Sequence, residues 1–410
     1  MSADTLIFVL AIDRGVGPEP LTLHRTKAAV PFGGKYRVID FTLANCLHSG
    51  LRQVLVLTQY KSHSLHKHLR DAWSIFNPEL GEFITAVPPQ MRRAQEWYAG
   101  PFDAIRQNRY LIERNRASRV LIVDGGAIYR MDYAELVRAH VENQARITVA
   151  MRAVPGVGSS TQARLTLDAH ERITDILPPT HQGQDERDGS ATEDAEHFET
   201  MGVYLFDKDF LLQELDRIEV GARPDQDLAL DIVAPLVSEQ SVLGYRFGQP
   251  RGRVTPDRYW CDLATVDAYY RANMQLLRAE PPIDLYQADW NIHTYQGQYP
   301  PARTVPGPVT GTEGVFVNSM LAAGTVISGG GVNHSILHPC VQVKDGAIVE
   351  ASILFDGVQV GEGAHLNRCI VEKDVVIPPR EQIGFDPKLD RERFTLSEEG
   401  IVVVTRGVWD

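Results

Sequence analysis

Short apolar runs bounded by turn residues recur through the first two thirds of the chain, at positions 6–11, 53–57, 120–123, 147–151 and 203–206. Between several of them lie stretches with helical spacing of apolar residues, at 41–49, 62–73, 102–113 and 133–143. Apolar strands alternating with amphipathic helices predict βαβ units and a mostly parallel sheet covered on both faces. Such sheets place ligands at the carboxyl ends of their strands. The segment 178–199 is polar and poor in large apolar side chains, so it reads as a mobile loop. A helix over 266–278 is followed by six prolines, Pro281, Pro282, Pro300, Pro301, Pro306 and Pro308, which mark a linker.

Beyond Pro308 the period changes from two and 3.6 to six. Val315, Leu321 and Ile327 form one run, Leu337, Val343, Val349 and Phe355 a second, and Val360 and Leu366 a third. Small residues, including Gly324, Gly330, Cys340, Gly346, Ser352, Gly363 and Cys369, sit three positions after apolar ones. A hexapeptide period predicts a left-handed parallel β-helix, each coil a triangle of three short strands. Residues 401–404 read as one further strand. The expected organisation is an α/β domain over 1–280, a linker over 281–308 and a β-helix domain over 309–410.

Composition narrows the function classes. The chain has 410 residues and a net charge of −12. That balance argues against nucleic-acid or membrane-surface binding but leaves room for a local anion pocket. Cys46, Cys261, Cys340 and Cys369 form no C-x-x-C pair, so neither a zinc knuckle nor a redox motif is expected. The apolar start of the chain lacks a basic flank and reads as a first strand; with no long apolar span, a cytoplasmic protein is expected. His63, His66 and His68 spread around a helix and read as a polar face, and His334 and His338 as exposed turn residues.

The densest motif is Phe32-Gly33-Gly34-Lys35-Tyr36-Arg37, followed by Ile39-Asp40-Phe41 and Asn45-Cys46. Thr58-Gln59-Tyr60-Lys61, Trp97-Tyr98-Ala99-Gly100, Ile128-Tyr129-Arg130-Met131-Asp132-Tyr133, Met201-Gly202-Val203-Tyr204, Tyr259-Trp260 and Ser397-Glu398-Glu399-Gly400-Ile401 accompany it. Together these closely resemble the ADP-glucose pyrophosphorylase (glucose-1-phosphate adenylyltransferase) family across nearly the whole chain. The resemblance implies a nucleotidyltransferase domain ahead of a left-handed β-helix. It also implies a reaction of ATP with glucose 1-phosphate in which pyrophosphate leaves.

That reaction needs a cradle for the triphosphate, carboxylates for Mg²⁺ and cations for the sugar phosphate. Set against the family pattern, this sequence departs in all three. The two leading glycines of the phosphate loop read Ile12 and Asp13, and the loop arginine reads Gly17. The first metal aspartate reads Gly126, with Asp124 displaced by two positions, while the second survives as Asp262. The Glu-Lys-Pro segment that carries the sugar-phosphate lysine reads Leu177-Pro178-Pro179, which offers no charge. Asp103 remains as a further catalytic remnant, and Tyr98 and Thr200 as candidate substrate-binding positions. The resemblance places an allosteric anion site on Arg25, Lys27, Arg37, Lys373 and Arg406.

The expectation is a catalytically impaired regulatory member, a pseudoenzyme of glycogen synthesis. It assembles as a homo- or hetero-tetramer with a catalytic relative and answers to a phosphorylated metabolite, with Mg²⁺ needed only if it is active. Two alternatives stand beside it. One is an active enzyme remodelled around Asp124, Asp262 and Arg14; the other is a stand-alone sugar-phosphate or nucleotide sensor.

Overall fold

The computed structural model describes residues 4–12, 17–90, 97–154, 162–179, 197–217, 227–238, 242–250, 252–253 and 258–409. Asp13 and Arg14, and most of the polar segment 178–199, lie outside the described residues. Contacts divide the chain into two compact units. The first comprises Met1–Ile12, Phe41–Ser62 and Trp73–Trp260. The second comprises Asp13–Asp40, His63–Ala72 and Cys261–Asp410.

The first unit is built on a nine-stranded sheet. Its strands are β1 (Thr5–Ala11), β2 (Gln53–Thr58), β3 (Phe83–Val87), β4 (Arg119–Asp124), β5 (Ile147–Val154), β6 (Arg164–Leu167), β7 (Ile173–Leu177), β8 (His197–Asp207) and β9 (Val242–Arg246). The order is β7-β6-β8-β4-β1-β2-β3, with β5 pairing β8 and β9 pairing β5. β1 runs parallel to β2 and β4, with Ile7 opposite Val54 and Leu121. Only β8 and β7 run against the common direction; the other seven strands share it. β1 is buried throughout, as a central strand covered on both faces must be. Phe8, Leu10, Ile122, Val149, Met151 and Phe206 belong to one apolar cluster under the sheet.

Several elements follow the apolar pattern closely. Helices form over Val38–His48, His63–Trp73, Tyr133–Glu142 and Val266–Met274. The run 102–113 instead divides into Pro101–Gln107 and Arg109–Arg114. Asn108 breaks it, because its Nδ2 donates both to Tyr98 Oη at 2.8 Å and to the Ala104 carbonyl at 2.9 Å. A side chain that bonds locally competes with helix continuation.

The second unit contains the left-handed parallel β-helix. Three sheets of short parallel strands stack along it. Met320 lies beside Ile336, Ile336 beside Ile353 and Ile353 beside Ile370, so the first coil advances 16 residues and the next ones 17. A coil of 17 rather than 18 forces one five-residue step per turn. The interior is therefore Val332, Leu337, Val343, Val349, Leu354, Val360, Leu366, Val371 and Ile377. This corrects two positions of the hexapeptide reading: Phe355, and Val315, which lies beside Gly331 while Phe316 lies beside the interior Val332. Leu354, not Phe355, fills the coil, and Phe355 stacks edge-on against Tyr269 and His338. Val315 and Phe316 are 50% and 49% exposed, at the end of the sheet order where the strand has a partner on one side only. Val402–Val404 adds a strand beside Cys369–Val371, as the apolar run near the C-terminus predicts. Among the described residues no helix is long and apolar enough to cross a membrane.

Candidate functional site

In the first unit the carboxyl end of β4 delivers Asp124. Its Oδ1 accepts the Gly126 N–H at 2.9 Å, so the residue standing in the family's aspartate position serves as a donor to its displaced neighbour. Gly202, on β8, adopts φ of +69°, and a Cβ there would come within 2.9 Å of the Asp124 Cβ. Only glycine allows that approach. The bulge between Thr200 and Tyr204 opens at the same point. Thr200 is buried and hydrogen-bonds Tyr204. Burial pushes the Tyr204 phenol well up, and the nearby Asp227 and Asp124 carboxylates push it further.

Asp227 was missed in the sequence. Its Oδ1 accepts Ala229 N–H at 2.7 Å and Leu230 N–H at 3.0 Å. Burial nevertheless raises its pKa, with Asp231 adding to the rise and the two amides opposing it. The only signal was an aspartate directly ahead of an apolar run, and such residues usually act as caps. Tyr98 is 1% exposed. Asp103 accepts Ala99 N–H at 2.9 Å and Gln107 Nε2 at 2.8 Å, anchoring the start of its helix. Ile12 is buried at the end of β1, whereas Pro178 is exposed beyond β7 and Pro179 half-exposed. The Trp260 ring lies under the Arg152 guanidinium at 4.4 Å, and Arg152 pairs with Glu199 at 2.7 Å.

In the second unit the Gly33–Gly34 turn explains the densest motif. Pro31–Phe32 pairs antiparallel with Tyr36–Arg37, and both glycines take positive φ, +56° and +84°. Three residues, Gly33, Gly34 and Lys35, close this hairpin, and a positive φ at two successive positions favours glycine at both. Asn273 Oδ1 accepts the Gly33 N–H at 2.9 Å, and Tyr269 Oη donates to the Pro31 carbonyl at 2.6 Å. Asp40 fixes the exit of the hairpin. It is fully buried and accepts from Arg37 N–H at 2.8 Å, Thr294 Oγ1 at 2.7 Å and His68 Nε2 at 2.5 Å. His68 is thus 8% exposed rather than part of a polar helix face, because a buried carboxylate requires partners.

Four different carboxylates engage the five cations assigned to an anion site. Arg25 forms a bidentate pair with Glu372, at 2.8 and 2.9 Å. Arg37 lies 3.7 Å from Asp356. Lys373 and Arg406 sit together, with Arg406 Nε donating to the Lys373 carbonyl at 2.8 Å and Asp374 3.6 Å from Arg406. Lys27 stands apart from all of these. It is 5% exposed and forms an ion pair with Asp262, the residue that the sequence resemblance offers as a metal ligand. Gly17, at the loop arginine's position, is half-exposed, and a Cβ there would meet Thr22 Cγ2 at 3.0 Å.

His338 is buried, 1% exposed, and not an exposed turn residue. Burial lowers its pKa to about 4, with Arg37 adding to the fall and Asp356 opposing it. A histidine whose folded pKa is depressed binds its proton more readily when unfolded. Between pH ~6.5 and about 4 the unfolded state therefore takes up more protons, and stability falls as the pH drops through that window. His338→Phe will flatten the loss, read as the urea midpoint at pH 7 against pH 5. An unchanged slope in that variant would assign the acid sensitivity to other groups.

A family model described as nucleotidyl transferase matches residues 18–279. A second, described as GlmU-like C-terminal hexapeptide, matches 300–404. The glucose-1-phosphate adenylyltransferase 2 of Vibrio cholerae is 48% identical over 406 residues, covering 98% of this chain and 97% of the relative. The chain belongs to the glucose-1-phosphate adenylyltransferase family. The glucose-1-phosphate adenylyltransferase of Methylococcus capsulatus is 37% identical over 411 residues, covering 99% of this chain and 94% of the relative. That of Dechloromonas aromatica is 37% identical over 412 residues, covering 99% and 91%.

Within this family a nucleotidyl transfer needs a metal-bound triphosphate, so the donor set here can be tested for fit. Gly126 has no carboxylate, and the Asp262 carboxylate already faces the Lys27 ammonium. Among the described residues no group of three or more His, Cys, Asp or Glu side chains is arranged to hold a metal ion. A divalent cation at Asp262 would have to displace a buried lysine and leave that charge unpaired. The residues present do not fit a resident Mg²⁺.

Proposed function

We propose that this chain is a catalytically impaired, regulatory member of its family, acting in glycogen (α-glucan) synthesis beside an intact relative. One observation carries the reading. Lys27 holds the single retained aspartate of the metal pair, and a glycine occupies the position of the other. The uncharged Pro178 and Pro179 and the altered Ile12 and Gly17 support it, because each removes a group that would meet phosphate. Lys373 and Arg406 remain 44% and 50% exposed, so cations are accessible to a phosphorylated effector. In this reading the chain enters a homo- or hetero-tetramer, and effector binding biases the shared assembly.

A mixing experiment tests this. An intact relative will be assayed alone and with an equal amount of this chain, across a panel of phosphorylated metabolites. The effector concentration giving half-maximal response should shift by at least about fivefold, within the usual range of allosteric coupling. Identical curves would overturn the regulatory reading. The remodelled-enzyme alternative, with Asp124 and Asp262 as metal carboxylates and Arg14 for phosphate, would be favoured by ADP-glucose formation by the chain alone.

A further inference from the structure

A contact in the first unit lies outside everything the proposed role uses. β8 pairs with β4 over Val203–Asp207 and with β6 at Phe198 and Glu199. Glu199 stands opposite Arg152, near the carboxyl end of β5, and opposite Arg164 of β6. Residues directly opposite share one face of a sheet, so a carboxylate sits between two guanidiniums. Glu199 is 6% exposed and accepts Arg152 Nη2 at 2.7 Å. The same guanidinium lies over the Trp260 ring, 4.4 Å from its centroid. Arg152 Nε and Trp260 Nε1 are both buried, and neither has a hydrogen-bond partner among the described residues. Buried donors are normally satisfied, so two of them on one stacked pair mark a place that an acceptor from outside would complete. Carboxyl ends of parallel strands are where ligands meet such sheets. Thr200, a candidate substrate-binding position, is the next residue along β8. A planar guanidinium laid on an indole covers the face on which a ring-shaped ligand would stack.

We infer that Arg152 is an internal competitor for the Trp260 ring face, which a sugar nucleotide must displace before it can bind the first unit. Glu199 is the positioning residue: it holds the guanidinium on the ring. Arg164 gives the Glu199 carboxylate a second cationic neighbour, so Arg152 can leave without stranding a buried charge. The contact weakens binding and does not act on turnover. It is independent of the altered phosphate and metal positions, and it stands whether or not the regulatory reading holds.

Calorimetric titration of the full chain with ADP-glucose, without metal, tests it. Arg152→Met should bind at least about tenfold more tightly than the wild-type chain, because the ring face is freed for stacking. Glu199→Gln, which loosens the guanidinium, should give a gain of about threefold or more. Both gains should vanish when Trp260→Ala is added, which ties them to the ring and not to a general loosening of the sheet. Where Arg152→Met fails to fold, Arg152→Met combined with Glu199→Ala removes both charges and carries the same expectation. Equal or weaker binding by the folded Arg152 variant, including no binding by either protein, overturns the inference. A gain that survives the loss of Trp260 overturns it too. The mixing assay decides the regulatory reading separately, so either can fail alone.

Discussion

Incubated alone with ATP, glucose 1-phosphate and magnesium, the purified chain will form ADP-glucose at least about 10⁴-fold more slowly than an intact relative. The magnitude follows from the parts that are missing. Loss of one preorganised group that meets developing charge typically costs about 10²–10³ in rate. Here the loop glycines and arginine, one metal carboxylate and the sugar-phosphate cation are all replaced, by Ile12, Asp13, Gly17, Gly126 and the Pro178–Pro179 pair. Such losses act partly as a unit and do not simply multiply, so the figure is a floor drawn from two independent elements. The corresponding rescue is informative. Joint restoration by Ile12→Gly, Asp13→Gly, Gly17→Arg, Gly126→Asp and Pro178→Lys should recover activity, and any one of these alone should not. A substantial rate from the unaltered chain in a coupled pyrophosphate assay would defeat the account.

Asp40→Ala should destabilise the second unit by about 3 kcal/mol or more, because it leaves several buried donors unsatisfied at about 1–3 kcal/mol each. Asp40 has no exposed surface, and three donors converge on it: Arg37 N–H, Thr294 Oγ1 and His68 Nε2. Alanine leaves all three without their acceptor. The measurement is urea unfolding followed by tryptophan fluorescence. Asp40→Asn, which keeps the shape and part of the acceptor capacity, should cost less. A loss below about 1 kcal/mol would mean that water reaches the site and replaces the carboxylate.

Much of the architecture was legible in the sequence because two periods carry it. Continuous apolar runs such as 6–11 and 120–123 report strands buried on both faces, and they appear as β1 and β4. The hexapeptide repeat reports the β-helix, and the one-residue slip at Leu354 arises because a coil advances 17 residues rather than 18. The strands β3, β6, β7 and β9 escaped notice for a related reason. They lie toward the sheet margins and mix buried with half-exposed positions, as in Phe83–Val87, so no long apolar run marks them. The reversed direction of β8 was also hidden, since apolar content does not encode strand sense.

The site was legible as residues but not as pairings. Arg25, Lys27 and Arg37 stand out as cations near a glycine turn. Nothing in their spacing reveals that Glu372 and Asp262 lie hundreds of residues away in sequence and hydrogen-bond distance away in space. Lys27 in particular reads as a phosphate contact until the fold brings it to Asp262. His68 and His338 looked exposed because helical and turn positions are judged by their own element. Each is buried by groups from elsewhere in the chain, Asp40 and Thr294 around one, Phe355 around the other. Asp227 was overlooked because a buried capping aspartate and an exposed one look alike in sequence.

The central claim is that Lys27 neutralises the one aspartate left to hold a metal. Manganese titration followed by electron paramagnetic resonance, on the wild-type chain and on Asp262→Asn without nucleotide, tests it most directly. The account predicts that neither protein shows a saturable manganese site that the other lacks, and that such a site appears in Lys27→Ala. A tight manganese site present in the wild-type chain and abolished by Asp262→Asn would contradict it.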